Sequence, residues 1–236
     1  MAAFFVTGSG TDIGKTWVCA GLLAHWRARG LRPGAFKPVL SGYDEAAAQD
    51  SDPAALLRAL GRPTDPAAIE AIAPFRFRAP LSPDQAAALE GLSLSTRVVA
   101  DACRAAMRAA EGPLLIEGAG GVMSPLNAHE TMLDLAVSLG VPTLFVAGSY
   151  LGAISHALTG LSALRARGVA LAAVLVNESG SGSVGLNETV LSVAGHFRDA
   201  PVLGVARGAG TNALSKVSAA LGLGQDCGPS TSSLTP

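Results

Sequence analysis

Nine residues near the start of the chain, Gly8-Ser9-Gly10-Thr11-Asp12-Ile13-Gly14-Lys15-Thr16, constrain this sequence more than any other feature. They follow a short apolar run at 3–7 and open a helical pattern at 16–29 that stops at Gly30. Glycines at such a strand-to-helix turn let backbone N–H groups face phosphate oxygens, and the new helix adds the positive end of its dipole. In a loop of this kind the lysine reaches the β- and γ-phosphates and the next hydroxyl faces a divalent metal. Here those residues are Lys15 and Thr16. Five residues separate Gly8 from Gly14, one more than the usual spacing. The bland alternative is a glycine-rich turn that binds nothing. The strand before the loop and the amphipathic helix after it favour phosphate.

Further apolar runs at 35–39, 114–117, 143–147, 171–177 and 202–205 alternate with alanine-rich helical stretches. These runs are apolar almost throughout, as strands covered on both faces must be. Ser82-Pro83-Asp84-Gln85 reads as an N-cap serine, a first-turn proline and a capping-box glutamine. Strand and helix in alternation predict an α/β fold, a mainly parallel sheet with helices on both faces, like other phosphate-loop nucleotide hydrolases. Ligands of such sheets bind beyond the carboxyl ends of the strands. A chain of 236 residues fits one domain, expected over 1–221, with a flexible tail at 222–236 that lacks periodicity.

The formal net charge of −1 gives no polybasic footprint for nucleic acid or anionic membrane, so small-molecule partners are expected. Three scattered cysteines, Cys19, Cys103 and Cys227, suggest neither a zinc site nor a disulfide framework, and a reducing cytoplasm fits them. The first residues lack the cationic region of a signal peptide. Residues 135–164 carry no Asp, Glu, Lys or Arg, but Gly140, Pro142, Gly148, Gly152 and Gly160 break them up. They read as a helix end, a buried strand and the next helix, not a membrane span.

Glu117 ends a strongly apolar strand and abuts Gly118-Ala119-Gly120-Gly121, which makes it a candidate metal ligand opposite Thr16. Asp52 precedes Pro53, and on local grounds alone an ordinary helix cap is the better reading. Lys37, in Phe36-Lys37-Pro38-Val39-Leu40-Ser41-Gly42, falls at the same sheet edge. A lysine there suits charge building up near a γ-phosphate, and a solvent-facing lysine fits equally well.

Taken together these pieces resemble the dethiobiotin synthetase family of the biotin pathway, from Phe4 to about Gly204. The resemblance rests on Thr7-Gly8, Gly14-Lys15-Thr16, Lys37-Pro38, Ser41-Gly42, Ser51-Asp52, Ser82-Pro83, Glu117 to Gly121, Leu151-Gly152, Ile154, His156 and Asn177. It implies an ATP-dependent cyclo-ligase that uses Mg²⁺, 7,8-diaminononanoate and CO₂ or bicarbonate. One amine becomes a carbamate, the carbamate takes the γ-phosphoryl group, and the second amine closes a cyclic urea and expels phosphate. It implies Lys37 and Lys15 as catalytic residues and Thr16, Asp52 and Glu117 around Mg²⁺, which reverses the capping reading of Asp52. Asp12, Ile13, Gly14, Lys15, Thr16, Trp17, Asp52, Glu117, Gly118, Ala119, Gly120 and Asn177 are implied at ATP. Ser41, Leu151, Gly152, Ala153, Ile154 and Ser155 are implied at the substrate, the last five from the partner subunit of a homodimer. The four histidines need no catalytic role.

The rival readings are a partitioning or cofactor-amidation ATPase, a GTP switch and a nucleotide-binding regulator. No lysine lies in 7–12, where partitioning ATPases usually carry one, and Asn177 opens no Asn-Lys-x-Asp guanine motif. Lys15, Thr16, Lys37 and Glu117 together are more than pure binding needs.

Overall fold

The computed structural model describes residues 2–180, 184–209 and 214–223. Most of the expected tail, 224–236, lies outside them. Six parallel strands form the main sheet: β1 (Ala3–Gly8), β2 (Gly34–Phe36), β5 (Leu114–Glu117), β6 (Thr143–Gly148), β7 (Leu171–Asn177) and β8 (Val202–Val205), in the order β2-β5-β1-β6-β7-β8. Two further strands, β3 (Val39–Ser41) and β4 (Phe75–Phe77), make a separate parallel pair. Around them lie α1 (Lys15–Ala28), α2 (Asp52–Ala59), α3 (Pro66–Ile72), α4 (Pro83–Leu89), α5 (Thr96–Ala109), α6 (Met132–Leu139), α7 (Ala153–Ala166), α8 (Leu186–His196) and α9 (Ser215–Ala220).

The apolar runs became strands for the expected reason. Every residue of β5 and β6 is buried, and Phe5, Ile116 and Phe145 have no exposed surface. Helix α1 buries Val18, Cys19, Leu22, Leu23 and Trp26, a stripe at helical spacing, against this sheet. Full burial of each large side chain contributes about 1.5–3 kcal/mol. The Trp26 indole N–H donates to Ser218 Oγ at 2.9 Å, which ties α9 to α1.

Three local expectations are corrected. The run at 35–39 is not one strand. Pro38 has no N–H for a ladder, and the Lys37 N–H donates instead to Ile72 O at 2.8 Å, so the chain leaves the main sheet after Phe36 and pairs with β4. At α4, Ser82 is the N-cap and Pro83 follows it, but the Ser82 hydroxyl donates to Asp84, so no serine side-chain cap forms. At α2 the cap is Ser51, whose side chain accepts from the Ala54 N–H, and not Asp52.

Residues 135–164 are the end of α6, strand β6 and most of α7, as expected. Gly140 closes α6 in the left-handed region at φ 64. Among the described residues no helix is long and apolar enough to cross a membrane.

The strand register decides where chemistry can collect. Val6 lies opposite Glu117, Gly8 opposite Val146, Gly148 opposite Asn177, and Phe36 opposite Ile116. The carboxyl ends therefore finish nearly level. Lys37 follows Phe36 just as Glu117 follows Ile116, so the two meet at one edge of the sheet.

Candidate active site

Residues 9–14 wrap the amino terminus of α1. Gly14 is the N-cap at φ 88, no side chain caps the helix, and its first turn holds no acid. The orphan N–H groups of that turn are left for a ligand. Asp12, at φ 56, is the one non-glycine residue with positive φ among the described residues, which a short polar side chain tolerates. A methyl group on Gly14 would lie 2.0 Å from Asn177 Nδ2, so this glycine is demanded by packing and by backbone angle alike.

Beyond the loop lies a cavity of about 920 Å³. Asp12, Gly14, Lys15, Thr16, Lys37, Ser41, Asp52, Glu117, Ala119 and Gly120 line it. At its floor is a compact charge cluster. The Lys37 ammonium lies 2.6 Å from Glu117 Oε1 and 2.7 Å from Asp52 Oδ2. Thr16 Oγ1 donates to the same Glu117 oxygen at 2.7 Å. The Lys15 ammonium donates to Gly10 O at 2.7 Å. Lys37 is 4% exposed and Glu117 1%.

Burial and the neighbouring Lys37 charge hold the Lys15 ammonium down at about 8. Burial also pulls Lys37 down, but Glu117 and Asp52 outweigh it and keep Lys37 above the ordinary lysine value. Burial pushes Asp52 up, yet the Lys37 charge and hydrogen bond leave it below the usual carboxylate range. Both lysines and Asp52 thus stand charged near neutral pH.

The oxygen set also fits a hard divalent cation. Thr16 Oγ1, Asp52 and Glu117 converge, and Glu117 Oε2 is buried with no hydrogen-bond partner. Among the described residues no group of three or more His, Cys, Asp and Glu is placed to hold a metal. One or two carboxylates with substrate phosphates and water is the usual company of Mg²⁺.

The remaining predicted residues fall elsewhere. Ile13 is buried, so only its backbone is available; its carbonyl accepts from Asn177 Nδ2 at 3.1 Å. Asn177 therefore sits against the phosphate loop at the end of β7, outside the cavity lining. Trp17 is half-exposed and also off the cavity. Gly118 is buried, its N–H donating to Val6 O at 2.9 Å. The glycine run serves the protein's own packing: a methyl group on Gly121 would stand 3.2 Å from the Gly10 backbone, and the Val122 N–H donates to Gly8 O. Gly152, Ile154 and Ser155 line a separate shallow cavity at the start of α7, with Leu151 exposed beside it and Ala153 buried. Within one chain this group does not join the charge cluster.

Nine lining residues were not among the candidate site residues: Thr11, Val39, Leu40, Gly42, Pro80, Leu81, Ser82, Pro83 and Ser124. Thr11 carried a usable signal, its place inside the loop. Ser124 Oγ accepts from the Gly121 N–H at 2.8 Å, a contact that only the folded turn reveals.

A parallel sheet whose central strand runs into a glycine-led, uncapped helix, with a lysine, a threonine and two acids at its edge, defines a P-loop nucleotide-using protein. The fold is also that of the Signal Recognition Particle 54 kDa protein from Aeropyrum pernix in complex with GDP, at a TM-score of 0.56 and 13% identity, over 94% of this chain and 46% of that longer one. The AAA domain family matches residues 2–206. The ATP-dependent dethiobiotin synthetase BioD of Caulobacter sp. strain K31 is 52% identical over 209 residues, 88% of this chain and 89% of that protein. Its counterpart in Caulobacter vibrioides strain NA1000 / CB15N is 54% identical over 180 residues, 76% of this chain and 81% of that one. The chain therefore belongs to the ATP-dependent dethiobiotin synthetase family of P-loop enzymes.

Proposed function

We propose that this enzyme makes dethiobiotin from 7,8-diaminononanoate, CO₂ and ATP. The observation that carries the reading is the meeting of Lys37, Glu117, Asp52 and Thr16 beside the Lys15 loop, at the floor of one cavity. A carbamate oxygen is a poor leaving group, and phosphorylation makes it a good one. The γ-phosphoryl transfer crowds anionic oxygens together, so most of the catalytic work is fixed positive charge.

Lys15, rising from the phosphate loop, binds the β- and γ-phosphates. Lys37 faces the carbamate and the γ-phosphate as negative charge moves between them. Thr16, Asp52 and Glu117 hold Mg²⁺, which when bound draws charge from the phosphate oxygens. Ser41 Oγ, buried with no partner, is available to the substrate, and Val39, Leu40, Pro80 and Pro83 give the cavity an apolar wall for an alkyl chain. Asp12, Gly14, Ala119 and Gly120 line the nucleotide side of the cavity, and Ile13, Trp17, Gly118 and Asn177, outside that lining, would meet the nucleotide beyond it. The second amine closes the ring and releases phosphate without a protein nucleophile.

The start of α7, residues 151–155, is a helix N-terminus with Gly152 as its N-cap and no side-chain cap, a setting that suits the substrate's carboxylate. Its separation from the charge cluster supports a homodimer in which each site takes this segment from the partner. Residues 1–221 form one catalytic domain, and the enzyme works in the cytoplasm.

Incubating the protein with the diamine, ATP, Mg²⁺ and ¹³C-bicarbonate tests the reading by mass spectrometry. The expected product is the cyclic urea carrying one label, formed in step with ADP. ADP release indifferent to the diamine would instead favour a generic P-loop ATPase.

A further inference from the structure

Lys37 occupies an unusual position for a residue that is to meet a substrate. Its ammonium is not aimed into open cavity. It is bonded to Glu117 Oε1 at 2.6 Å and to Asp52 Oδ2 at 2.7 Å, and those are the two acids of the divalent-metal oxygen set. The third member, Thr16, also spends its hydroxyl proton on Glu117 Oε1. Lys15 is likewise engaged with a protein oxygen, Gly10 O.

The charges balance in this arrangement. Two lysines oppose two carboxylates, and the buried Glu117 in particular needs a cation, because an unpaired charge at such depth is strongly unfavourable. A divalent cation arriving alone would meet two ammonium groups and find Glu117 Oε1 and Asp52 Oδ2 already engaged, with Glu117 Oε2 left unpartnered. Arriving with a polyphosphate, it brings compensating negative charge, and the phosphates give both ammonium groups new partners.

We propose that Lys37 is a built-in counter-cation of the metal site: it holds Asp52 and Glu117 in the nucleotide-free enzyme and releases them only when divalent metal and nucleotide bind together. The proposal rests on the reading that Asp52 and Glu117 hold the metal. It assigns Lys37 a second role, distinct from charge stabilisation during the reaction. The free protein should bind a divalent cation weakly, and loading should release the lysine toward the substrate.

Mn²⁺ binding to nucleotide-free protein, followed by electron paramagnetic resonance, tests this directly. Lys37→Met should bind Mn²⁺ more tightly than wild type by roughly tenfold or more, since a competing cation has gone. Lys37→Met combined with Glu117→Gln should lose that gain. Equal affinity in wild type and Lys37→Met would overturn the proposal. Should Lys37→Met fail to fold, the Lys37 ammonium resonance in ¹⁵N-lysine-labelled wild type decides. It should keep its position with Mg²⁺ alone and move when a non-hydrolysable ATP analogue is added. Movement at the same Mg²⁺ concentration without nucleotide would count against the exchange. Product formation by the wild type is a separate readout, so labelled urea with unchanged Mn²⁺ affinity sinks only the exchange, and Mn²⁺ tightening without labelled urea sinks only the reaction.

Discussion

Thr16 Oγ1 donates to Glu117 Oε1 at 2.7 Å, across 101 positions of sequence. The bond joins the first turn of α1 to the end of β5, strands β1 and β5 being neighbours in register. It makes Glu117 the hub of the site, since the same oxygen also takes the Lys37 ammonium.

The first prediction follows from that hub. Glu117→Gln keeps the shape and removes the charge. Product formation should fall by roughly 100-fold, chiefly in kcat, through lost stabilisation of charge at the phosphates. A loss below about threefold would remove Glu117 from the reaction.

Lys37→Ala separates binding from chemistry. ATP affinity, read by calorimetry, should change by only a few-fold, because Lys15 and the loop backbone remain. Turnover should fall by about 10²–10³-fold, the usual consequence of removing one group aimed at developing charge. Unchanged turnover would contradict the proposed role.

Ser155→Asp tests site sharing. Ser155 is exposed in the first turn of α7, where an acid favours the helix but repels a carboxylate ligand. Alone, Ser155→Asp and Lys37→Ala should each be nearly inactive. Co-expressed in equal amounts, they should recover about a quarter of wild-type activity, because half the dimers are mixed and each mixed dimer holds one intact composite site. No recovery would show that each chain builds its site alone.

An acid-stability prediction comes from a different place. Glu130 Oε2 accepts from the Thr96 N–H at the start of α5 at 2.9 Å and from Asn127 Nδ2 at 2.6 Å. These bonds, the Thr96 one foremost, hold its carboxyl below the ordinary glutamate value. The folded state thus binds a proton less readily than the unfolded state. This contribution is complete above the unfolded value near 4.5 and is lost as pH falls through the lowered folded value. Glu130→Gln should cost about 1 kcal/mol at neutral pH, as loss of a charged helix-start acceptor does. The gap between the two melting curves should close in acid. A gap that persists at pH 2–3 would contradict this account.

Local chemistry made the strands, the phosphate loop and most helix ends legible. Continuous apolar runs declared strands covered on both faces, and Gly8 to Thr16 declared a phosphate site, because their spacing alone fixes which groups face inward. Lys37 and Asp52 were not legible from their neighbours. A strand-end lysine fits water as well as phosphate, and Asp before Pro53 looks like a cap. The resemblance to a family named both as site residues, and in the fold Lys37 pairs with Asp52 and Glu117. The glycines after Glu117 were legible as a close approach, but not that Gly121 approaches Gly10 of the chain itself.

By itself, then, the sequence determined the parallel α/β fold and the place of the phosphate loop, since both are written in patterns that span a few residues. Only the tertiary structure decided that Ser51 caps α2 and leaves Asp52 to pair with Lys37, that Pro38 ends β2 and turns Lys37 to the level of Glu117, and that Asn177 braces the loop through Ile13. The last two outcomes depend on strand register and burial that join residues 80 positions apart for Lys37 and Glu117 and 164 for Asn177 and Ile13, where a side chain must find its partner in space rather than along the chain.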